Sequence, residues 1–380
     1  MTPSRTLVID DAVPFAKELF SHLGKIITLP GKEIGAEHLQ NADALIVRSR
    51  TQVNATLLDH STVSFVGSTV VGLDHVDQAY LKKQGIEFYS AQGCNANSVA
   101  EYVITNIVNL AIEKGFNLTE KSLGIIGVGH VGKLVEKKAH ALGMTVLLND
   151  PPRARQETKK TFVDLDTALE ADIITVHTPL TKSGQDATYH LLSADKLKKI
   201  QPHQIIINAA RGGIIDEHAW AKTPTLSNII DCWENEPNID PDLYNKADIA
   251  TPHIAGHALD AKIAGSEMVY EALCQHWKIT PDNAWRQCLP TPPNPISITL
   301  SGNQQKDIHT LLQQCYRPQE DDAAIRTSNI ITTHKKYEYY RRHYPEHREW
   351  HQHTIIKTGN TEFNNLLNSL GFSLIEHTTK

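Results

Sequence analysis

Groups that can hold an anion or move a proton follow three short apolar runs in the middle of the chain. They are Arg211, the acids Asp231, Glu234 and Glu236, and His253. An arginine can hold a carboxylate with two parallel hydrogen bonds and polarise a neighbouring carbonyl group. A histidine can exchange a proton with a hydroxyl group, and a carboxylate on its other ring nitrogen fixes its tautomer. The set predicts acid–base chemistry on a small molecule that carries a carboxylate.

A glycine motif precedes these residues. The segment Gly127-Val128-Gly129-His130-Val131-Gly132 directly follows an apolar run and opens a helical pattern. Its glycines permit a tight turn, let the backbone approach a pyrophosphate, and allow close packing of helix on strand. Asp150 ends the next apolar run, where its carboxylate can accept hydrogen bonds from ribose hydroxyls and repel a 2′-phosphate. The motif predicts NAD as the cofactor, while Arg153 nearby leaves NADP as the alternative.

Parallel strands must position these groups, because short apolar runs alternate with helical patterns along most of the chain. One series occupies residues 6–90, and a second begins after a long helical pattern at 97–114. The runs of the second series are almost continuously apolar, as expected for strands buried on both faces. We expect two doubly wound parallel-sheet domains of the Rossmann or flavodoxin-like type, with the active site in the cleft between them.

Four prolines between residues 290 and 295 predict a stiff linker. Beyond it, the patterns predict a strand at 296–300, a helix at 304–316, and a strand–helix–strand series from 354 to 375, which together make a small α/β domain. The predicted division is a substrate-binding domain at 1–96 and 258–289, an NAD-binding domain at 97–257, and a C-terminal domain at 290–380.

The composition limits the classes of protein. The 380 residues are 40% hydrophobic and 21% charged, which is typical of a soluble globular protein. No apolar run approaches the roughly 18 residues of a membrane-spanning helix, and the first residues lack the apolar centre of a signal peptide. A net charge of −6 disfavours nucleic-acid binding by the whole chain. The five scattered cysteines favour reduced thiols and a cytoplasmic protein.

Two other features could suggest ligands. The mixed basic and aromatic residues at 335–342 could face a nucleic acid, but a solvated or dimer-facing helix is the better interpretation. His343, His347, His351 and His353 could ligate a metal, but Pro345 interrupts a continuous helix through them. We therefore expect neither nucleic acid nor metal.

From about residue 40 to residue 285, the chain resembles the D-isomer-specific 2-hydroxyacid dehydrogenase family. The glycine motif and five further segments carry the resemblance: Val71-Gly72-Leu73-Asp74-His75-Val76-Asp77, Asn95 with Ser98-Val99-Ala100-Glu101-Tyr102, His177-Thr178-Pro179-Leu180, Asn208-Ala209-Ala210-Arg211-Gly212 and His253-Ile254-Ala255-Gly256. The resemblance implies that Arg211 orients the substrate and that His253 is the acid or base, with Glu236 as its partner. It also implies that Thr178, Asp231 and Gly256 lie at the nicotinamide half of NAD.

Three features resemble one member of this family in particular. They are Val47-Arg48-Ser49, the continuation Asp150-Pro151-Pro152-Arg153, and the C-terminal segment with Arg348-Glu349-Trp350. This resemblance implies a small phosphorylated hydroxy acid as substrate and a homodimer formed through the C-terminal domain. Val70 and His257 depart from that member's pattern, which has a threonine and a tyrosine there, and both positions are expected to line the substrate.

The phosphate or carboxylate of the substrate is predicted to bind Arg48, Ser49 and, as a third candidate, Arg50, because these residues directly follow a predicted strand. The backbone amides of Val71 and Gly72 can also cradle a carboxylate. Two alternatives stay open: a dehydrogenase for another D-2-hydroxy acid, such as 3-phosphoglycerate or glycerate, and a non-catalytic NAD-sensing protein.

Overall fold

The computed structural model describes residues 5–158 and 161–376. The described chain divides into two compact units. The first comprises residues 5–95 and 258–291, and the second comprises 96–257 and 292–376. The segment after the proline linker thus belongs to the same unit as the glycine motif. That the first unit binds substrate, and that the C-terminal segment is a domain of its own, stay predictions.

The first unit is built on five parallel strands in the order β2-β1-β3-β4-β5. The strands are β1 (Thr6–Asp10), β2 (Lys25–Leu29), β3 (Ala44–Val47), β4 (Phe65–Ser68) and β5 (Glu87–Ser90). Helices α1 (Ala16–Phe20), α2 (Ala55–Leu58) and α3 (Gln78–Gln84) lie along its crossovers. The central strands β3 and β4 are buried throughout, which is why their sequences read as continuous apolar runs.

The second unit contains a six-stranded parallel sheet in the order β11-β10-β9-β8-β6-β7. It begins with the long helix α4 (Ala96–Lys114). Its strands are β6 (Ser122–Ile126), β7 (Thr145–Asn149), β8 (Ile173–Val176), β9 (Ile205–Asn208), β10 (Ser227–Ile230) and β11 (Ile249–Ala250). Its other helices are α5 (His130–Ala141), α6 (Pro151–Ala154), α7 (Leu165–Ala168), α8 (Ala194–Leu197), α9 (Glu217–Trp220) and α10 (Pro241–Lys246). The strand order reverses between β6 and β8, which is the place where ligands bind in such sheets.

After β11 the chain returns to the first unit as helix α11 (Leu259–Trp277). Gly67 on β4 lets this helix approach the sheet, since a Cβ at Gly67 would lie 2.3 Å from a methyl carbon of Val269. The helices α4 and α11 each span 19 residues. Among the described residues, neither they nor any other helix is long and apolar enough to cross a membrane.

The segment after the linker is helical, with one small sheet. It contains α12 (Gln304–Cys315), α13 (Pro318–Ile325), α14 (Ile330–Arg342), β12 (Thr354–Ile356), α15 (Thr361–Leu370) and β13 (Ser373–Ile375). The predicted strand at 296–300 is wrong. Only Ile296 bridges to β12, at Ile355, while Ile298 and Leu300 pack against the core of the second unit. The alternation of apolar residues there reflects packing on a surface without pairing in a sheet.

We expect Gly124→Ala to lower the free energy of unfolding by about 1–3 kcal/mol, because overpacking forces backbone to move. A Cβ at Gly124, on β6, would lie 2.2 Å from the carbonyl oxygen of Ala168 at the end of α7. Gly359→Ala is the matched control, since a Cβ at Gly359 meets nothing within 4 Å. Urea denaturation monitored by circular dichroism measures both variants. Equal midpoints for the two would contradict this account of β6 packing.

Candidate active site

His253 and Glu236 form a hydrogen-bonded pair. The ring nitrogen Nδ1 of His253 lies 2.9 Å from Oε2 and 3.1 Å from Oε1 of Glu236. His253 follows β11 and Glu236 lies in the loop after β10, so neighbouring parallel strands bring them to one edge of the sheet. Since Nδ1 faces the carboxylate, Nε2 is the ring nitrogen left to exchange a proton with a ligand.

The surroundings of Glu236 favour its ionised form. Burial alone would raise the pKa of this carboxyl, but the charge of His253 and hydrogen bonds from His253 and from the backbone N–H of Trp233 hold the pKa below its usual value. An ionised Glu236 stabilises the imidazolium that forms when His253 takes up a proton. The arrangement is that of a general acid–base pair.

Asp231, which directly follows β10, holds the loop that carries His253. Its buried carboxylate accepts hydrogen bonds from the backbone N–H groups of Ile254 (2.8 Å) and Ala255 (3.0 Å), and from the hydroxyl of Thr251 (2.7 Å). The hydroxyl of Tyr102 on α4 lies 2.7 Å from the Thr251 hydroxyl and extends this chain of bonds. The loop places His253 in left-handed backbone conformation, with φ 55°, which is uncommon outside glycine.

Arg211 lies in the loop after β9, and Asn208 shapes that loop. The side-chain amide of Asn208 donates to the carbonyl oxygen of Arg211 (2.9 Å), and its own carbonyl accepts from the N–H of Ala210 (3.1 Å). Among residues 5–158 and 161–376, one guanidinium nitrogen of Arg211 is hydrogen-bonded, at 2.7 Å from the carbonyl oxygen of Ala210. The remaining donors are available to an anionic ligand. The residue after Arg211 must be a glycine, since a Cβ at Gly212 would lie 2.0 Å from the carbonyl oxygen of Trp233.

Cys232 lies beside the acid–base pair. Within the part of the chain that the structure describes, its sulfur and ligand-type atoms of Glu236 and His253 all lie within 4.8 Å of one another. Burial raises the pKa of the Cys232 thiol well above its usual value, despite the opposing charges of Arg211 and Arg341. A thiol that stays protonated is a poor nucleophile, so we assign no nucleophilic role to Cys232.

The glycine motif forms the turn between β6 and α5. Gly127 has φ 89°, and a Cβ there would lie 2.8 Å from backbone atoms of His177 and Thr178. A Cβ at Gly132 would lie 2.2 Å from the carbonyl oxygen of Gly127, so strand and helix approach closely. A Cβ at Gly129 would meet nothing within 4 Å, which leaves open space at the start of α5. No side chain caps that helix, so its first N–H groups face this space.

Thr178 and His177 follow β8 on the other side of the reversal in strand order. The hydroxyl of Thr178 and Nδ1 of His177 are buried, and neither has a hydrogen-bond partner among the described residues. Burial lowers the pKa of His177 to about 3, so its ring is neutral. With the uncapped helix and the open space at Gly129, these groups fit a ligand that brings a pyrophosphate and further polar atoms. The exposed His130 and half-buried Val131 lie at the same helix start.

Asp150 ties the glycine turn to the loop after β7. One carboxylate oxygen accepts the N–H of Val128 (2.8 Å) and the other caps α6 at the N–H of Arg153 (3.0 Å). Each oxygen keeps a second lone pair for a ligand hydroxyl. Arg153 is held by both oxygens of Glu157, with nitrogen–oxygen distances of 2.6 and 2.7 Å, and by the carbonyl oxygen of Val128. Its charge is thus committed within the protein, which disfavours recognition of a 2′-phosphate.

The predicted substrate residues Arg48 and Ser49 directly follow β3 in the first unit. Asp10, at the end of the neighbouring β1, accepts the backbone N–H of Arg48 (3.3 Å) and of Ala12 (3.0 Å). Burial raises the pKa of Asp10, although the charge of Arg48 opposes this effect. Arg50 lies apart from this contact and lines a groove together with Lys32.

Val70, Val71 and Gly72 form the loop after β4 and are half-buried. The hydroxyl of Ser90 donates to the carbonyl oxygen of Val70 (3.2 Å), and the amide of Gln92 donates to that of Val71 (2.8 Å). Because β3 and β4 are adjacent, this loop and the Arg48 loop leave the same edge of one sheet. Arg48, Ser49 and residues 70–72 thus lie in adjacent loops at that edge, while Arg50 lines the groove with Lys32.

Gly256 and His257 end the second unit. Gly256 directly follows Ala255, whose N–H binds Asp231. The ring of His257 packs edge-on against Tyr344, with the ring centres 5.7 Å apart, so the C-terminal segment covers one side of His257.

Sequence reasoning assigned no roles to Asn208, Thr251, Tyr102 and Asp10. Each is buried beside a loop that carries a candidate residue. For Asn208 and Thr251 the signal was present, since a polar side chain at the end of an apolar run is costly unless it is hydrogen-bonded. Asp10 ends the apolar run Leu7–Ile9 and carried the same signal, whereas Tyr102 gave none, because its partner Thr251 is distant in sequence.

A family model for the NAD binding domain of the D-isomer specific 2-hydroxyacid dehydrogenases matches residues 98–255. The erythronate-4-phosphate dehydrogenase of Hydrogenovibrio crunogenus is 81% identical over 375 residues, which are 99% of this chain and all of that protein. The chain belongs to the D-isomer-specific 2-hydroxyacid dehydrogenase family. It is an NAD-dependent oxidoreductase.

Two other proteins show how far the similarity extends. The erythronate-4-phosphate dehydrogenase of Ruthia magnifica is 50% identical, covering 91% of this chain and 96% of that protein. The NAD-bound 3-phosphoglycerate dehydrogenase of Entamoeba histolytica superposes with a TM-score of 0.61 at 25% identity, covering 72% of this chain and 96% of that structure. A second family model, for a domain of unknown function, matches residues 288–371. The C-terminal segment is thus shared with the full-length relatives.

We expect Glu157→Gln to raise kcat/KM with NADP relative to NAD by about 3–10-fold, because it releases the guanidinium of Arg153 toward a 2′-phosphate. Glu170→Gln, an exposed carboxylate elsewhere in the same unit, is the control. Initial rates with both cofactors give the ratio. An unchanged ratio in Glu157→Gln would show that Arg153 plays no part in cofactor choice.

Proposed function

We propose that the protein oxidises 4-phospho-D-erythronate at C2 to the corresponding 2-oxo acid with NAD, in the biosynthesis of pyridoxal 5′-phosphate. The His253–Glu236 pair, close to Arg211 at one edge of the NAD-binding sheet, carries the reaction class. Full-length similarity to erythronate-4-phosphate dehydrogenases, which includes the C-terminal segment, supports the substrate.

His253 acts as the general base in this reaction. Its Nδ1–H is directed at Glu236, so Nε2 accepts the proton of the substrate C2 hydroxyl. As the C2–H bond breaks, its electron pair leaves as hydride, for which NAD supplies the acceptor. The hydroxyl oxygen becomes the carbonyl oxygen, and Glu236 stabilises the imidazolium that forms. A positioned acid–base group of this kind contributes about 10²–10⁴ in rate.

Arg211 orients the substrate. Its unoccupied guanidinium donors can hold the C1 carboxylate and polarise the developing carbonyl at C2. For the cofactor, the start of α5 with Gly127, Gly129 and Gly132 is suited to the pyrophosphate, and Asp150 to the ribose hydroxyls. We assign Thr178, Asp231 and Gly256 to the nicotinamide half, Asp231 acting chiefly by holding the His253 loop.

The first unit supplies further substrate contacts. Arg48 and Ser49 are suited to the phosphate, and the backbone N–H groups of Val71 and Gly72 to the carboxylate. Val70 and His257 are the positions through which specificity between four-carbon and three-carbon acids is set. The alignment of Arg48 by Asp10 supports this role, since it fixes the loop before any ligand binds.

An assay of NADH formation tests the substrate. Purified protein is compared on 4-phospho-D-erythronate, 3-phosphoglycerate and D-glycerate, with a carbonyl trap because oxidation of a hydroxy acid by NAD is uphill near neutral pH. We expect a clear preference for the phosphorylated four-carbon acid. Preference for a three-carbon acid would keep the mechanism but overturn the substrate. If none of the three acids gives NADH, a non-catalytic NAD sensor is favoured.

Two substitutions are expected to separate chemistry from binding. His253→Ala removes the base and should lower kcat by about 10²–10⁴ while NADH still binds. Arg48→Ala should instead raise KM for the phosphorylated acid about tenfold or more with a smaller change in kcat. Steady-state kinetics and NADH fluorescence titration measure both. Turnover by His253→Ala comparable to the wild type would reject its role, and an unchanged KM in Arg48→Ala would reject the phosphate contact.

We further infer a cytoplasmic homodimer that forms through residues 290–380. None of the five cysteines, all of which lie within the described residues, forms a disulfide bond, as suits a reducing compartment, and the full-length relatives share the C-terminal segment. Light scattering on the purified chain should give twice its mass of 42.3 kDa. A monomer mass at micromolar concentration would reject the dimer.

A further inference from the structure

Helix α14 of the C-terminal segment packs on the loop that carries Glu236. Nε2 of His334 lies 3.3 Å from the carbonyl oxygen of Ile239. The ring of Tyr337 is buried in the same apolar cluster as Trp233 and Ile239, which lie on either side of Glu236 in sequence. Since the N–H of Trp233 also binds Glu236, the helix supports the catalytic carboxylate from behind.

Arg341 lies one helical turn beyond Tyr337, on the same face of α14. It is half-buried, and among residues 5–158 and 161–376 no carboxylate lies within ion-pair distance of its guanidinium. The positive charge of Arg341 nevertheless affects the ionisation of Glu236. After His253 and the Trp233 N–H, it is a further group that lowers the pKa of Glu236 against the effect of burial.

The hydroxyl of Tyr337 shows that water is excluded from the contact between α14 and the Glu236 loop. It is buried and has no hydrogen-bond partner among the described residues. Burial raises the pKa of Tyr337 well above its usual value, and the charge of Glu236 adds to this effect while that of Arg341 opposes it. Charges that interact across such a poorly solvated layer are weakly screened. A positive charge on α14 is therefore felt by the acid–base pair.

We propose that Arg341 is a positioning residue of the dehydrogenase, whose charge keeps Glu236 ionised and opposes premature protonation of the His253–Glu236 pair. The proposal rests on the proposed function of His253 as the base. It assigns a catalytic task to part of the segment that matches a domain of unknown function.

The direction in which Arg341 moves the pH profile follows from the charged and titratable groups around Glu236 and His253. The groups that interact with Glu236 itself are His253, Cys232 from the loop after β10, Glu217 from α9, and Tyr337 and Arg341 from α14. Around these, Arg211 and Asp231 act on Cys232, and Glu234 and Asp240 act on Glu217. Substrate oxidation needs the pair without its extra proton, so activity falls on the acid side when that proton binds. Removing a nearby positive charge favours proton uptake, which moves the acid limb to higher pH.

The test is the pH profile of kcat/KM for oxidation of 4-phospho-D-erythronate by the full chain. Arg341→Met should move the acid limb upward by about 0.5–1 pH unit, and Arg341→Lys should restore the wild-type profile. Arg342→Met is the matched control, since this neighbouring arginine is exposed, and it should leave the limb unchanged. NADH titration verifies that each variant retains its cofactor site.

An acid limb in Arg341→Met that superposes on the wild type overturns the proposal, as does an equal shift in Arg342→Met. A raised KM with an unmoved limb would mean that Arg341 binds substrate directly, and this too overturns it. If the methionine variant does not fold, Arg341→Gln is expected to give the same shift, and an unmoved limb there is decisive. Should the wild type prefer another acid, the profile is recorded on that acid, so the substrate and the role of Arg341 fail separately.

Discussion

The buried carboxylate of Asp231 is the interaction on which the active site most depends. It binds two successive backbone N–H groups of the loop after β11 and the hydroxyl of Thr251. A buried carboxylate is stable only when its oxygens are fully hydrogen-bonded, so this loop has little freedom to move. The left-handed backbone at His253 is held by these bonds, and with it the direction in which the ring meets Glu236. The geometry of the proposed acid–base pair is thus set by a residue that need not react.

The same arrangement occurs at three places on the carboxyl edges of the two large sheets. Asp10 at the end of β1 binds the N–H of Arg48 after β3, Asp150 after β7 binds the N–H of Val128 after β6, and Asp231 after β10 binds the loop after β11. In each case the two strands are neighbours in the sheet. Parallel sheets leave their loops without strand partners at the carboxyl edge, and an aspartate there supplies the missing acceptor. The ligand-facing loops of both units are therefore ordered by charge-assisted bonds before any ligand arrives.

These aspartate–backbone bonds also explain which parts of the site could be predicted from the sequence and which could not. Buried strands such as Ile173–Val176 gave continuous apolar runs, and the groups that follow them, Arg211 and His253, were identifiable by type and position. Asp150 and Asp231 were also identified, but as ligand contacts. Their backbone bonds depend on strand order, which periodicity does not reveal. The alternation of apolar residues at 296–300 led to a wrong strand prediction. Such alternation indicates only that one face of an extended segment is buried, and here the core of the second unit buries it without strand pairing.

The C-terminal segment lay furthest beyond prediction, since its hydrogen-bond partners in the rest of the second unit are more than 70 positions away in sequence. A cluster of tyrosine hydroxyls around Asp321 shows how the segment is ordered within itself and against that unit. Asp321 accepts hydrogen bonds from the hydroxyls of Tyr316, Tyr340 and Tyr344, and the ring of Tyr344 packs on His257. Burial raises the pKa of Asp321 to about 6, partly offset by these three bonds. A buried carboxylate must be hydrogen-bonded, and Asp321 finds these three donors within its own segment. Helix α14 behind Glu236 depends on distant partners in the same way. The apolar contacts of Tyr337 fix this helix, and Arg341 follows one turn later on the same helix face.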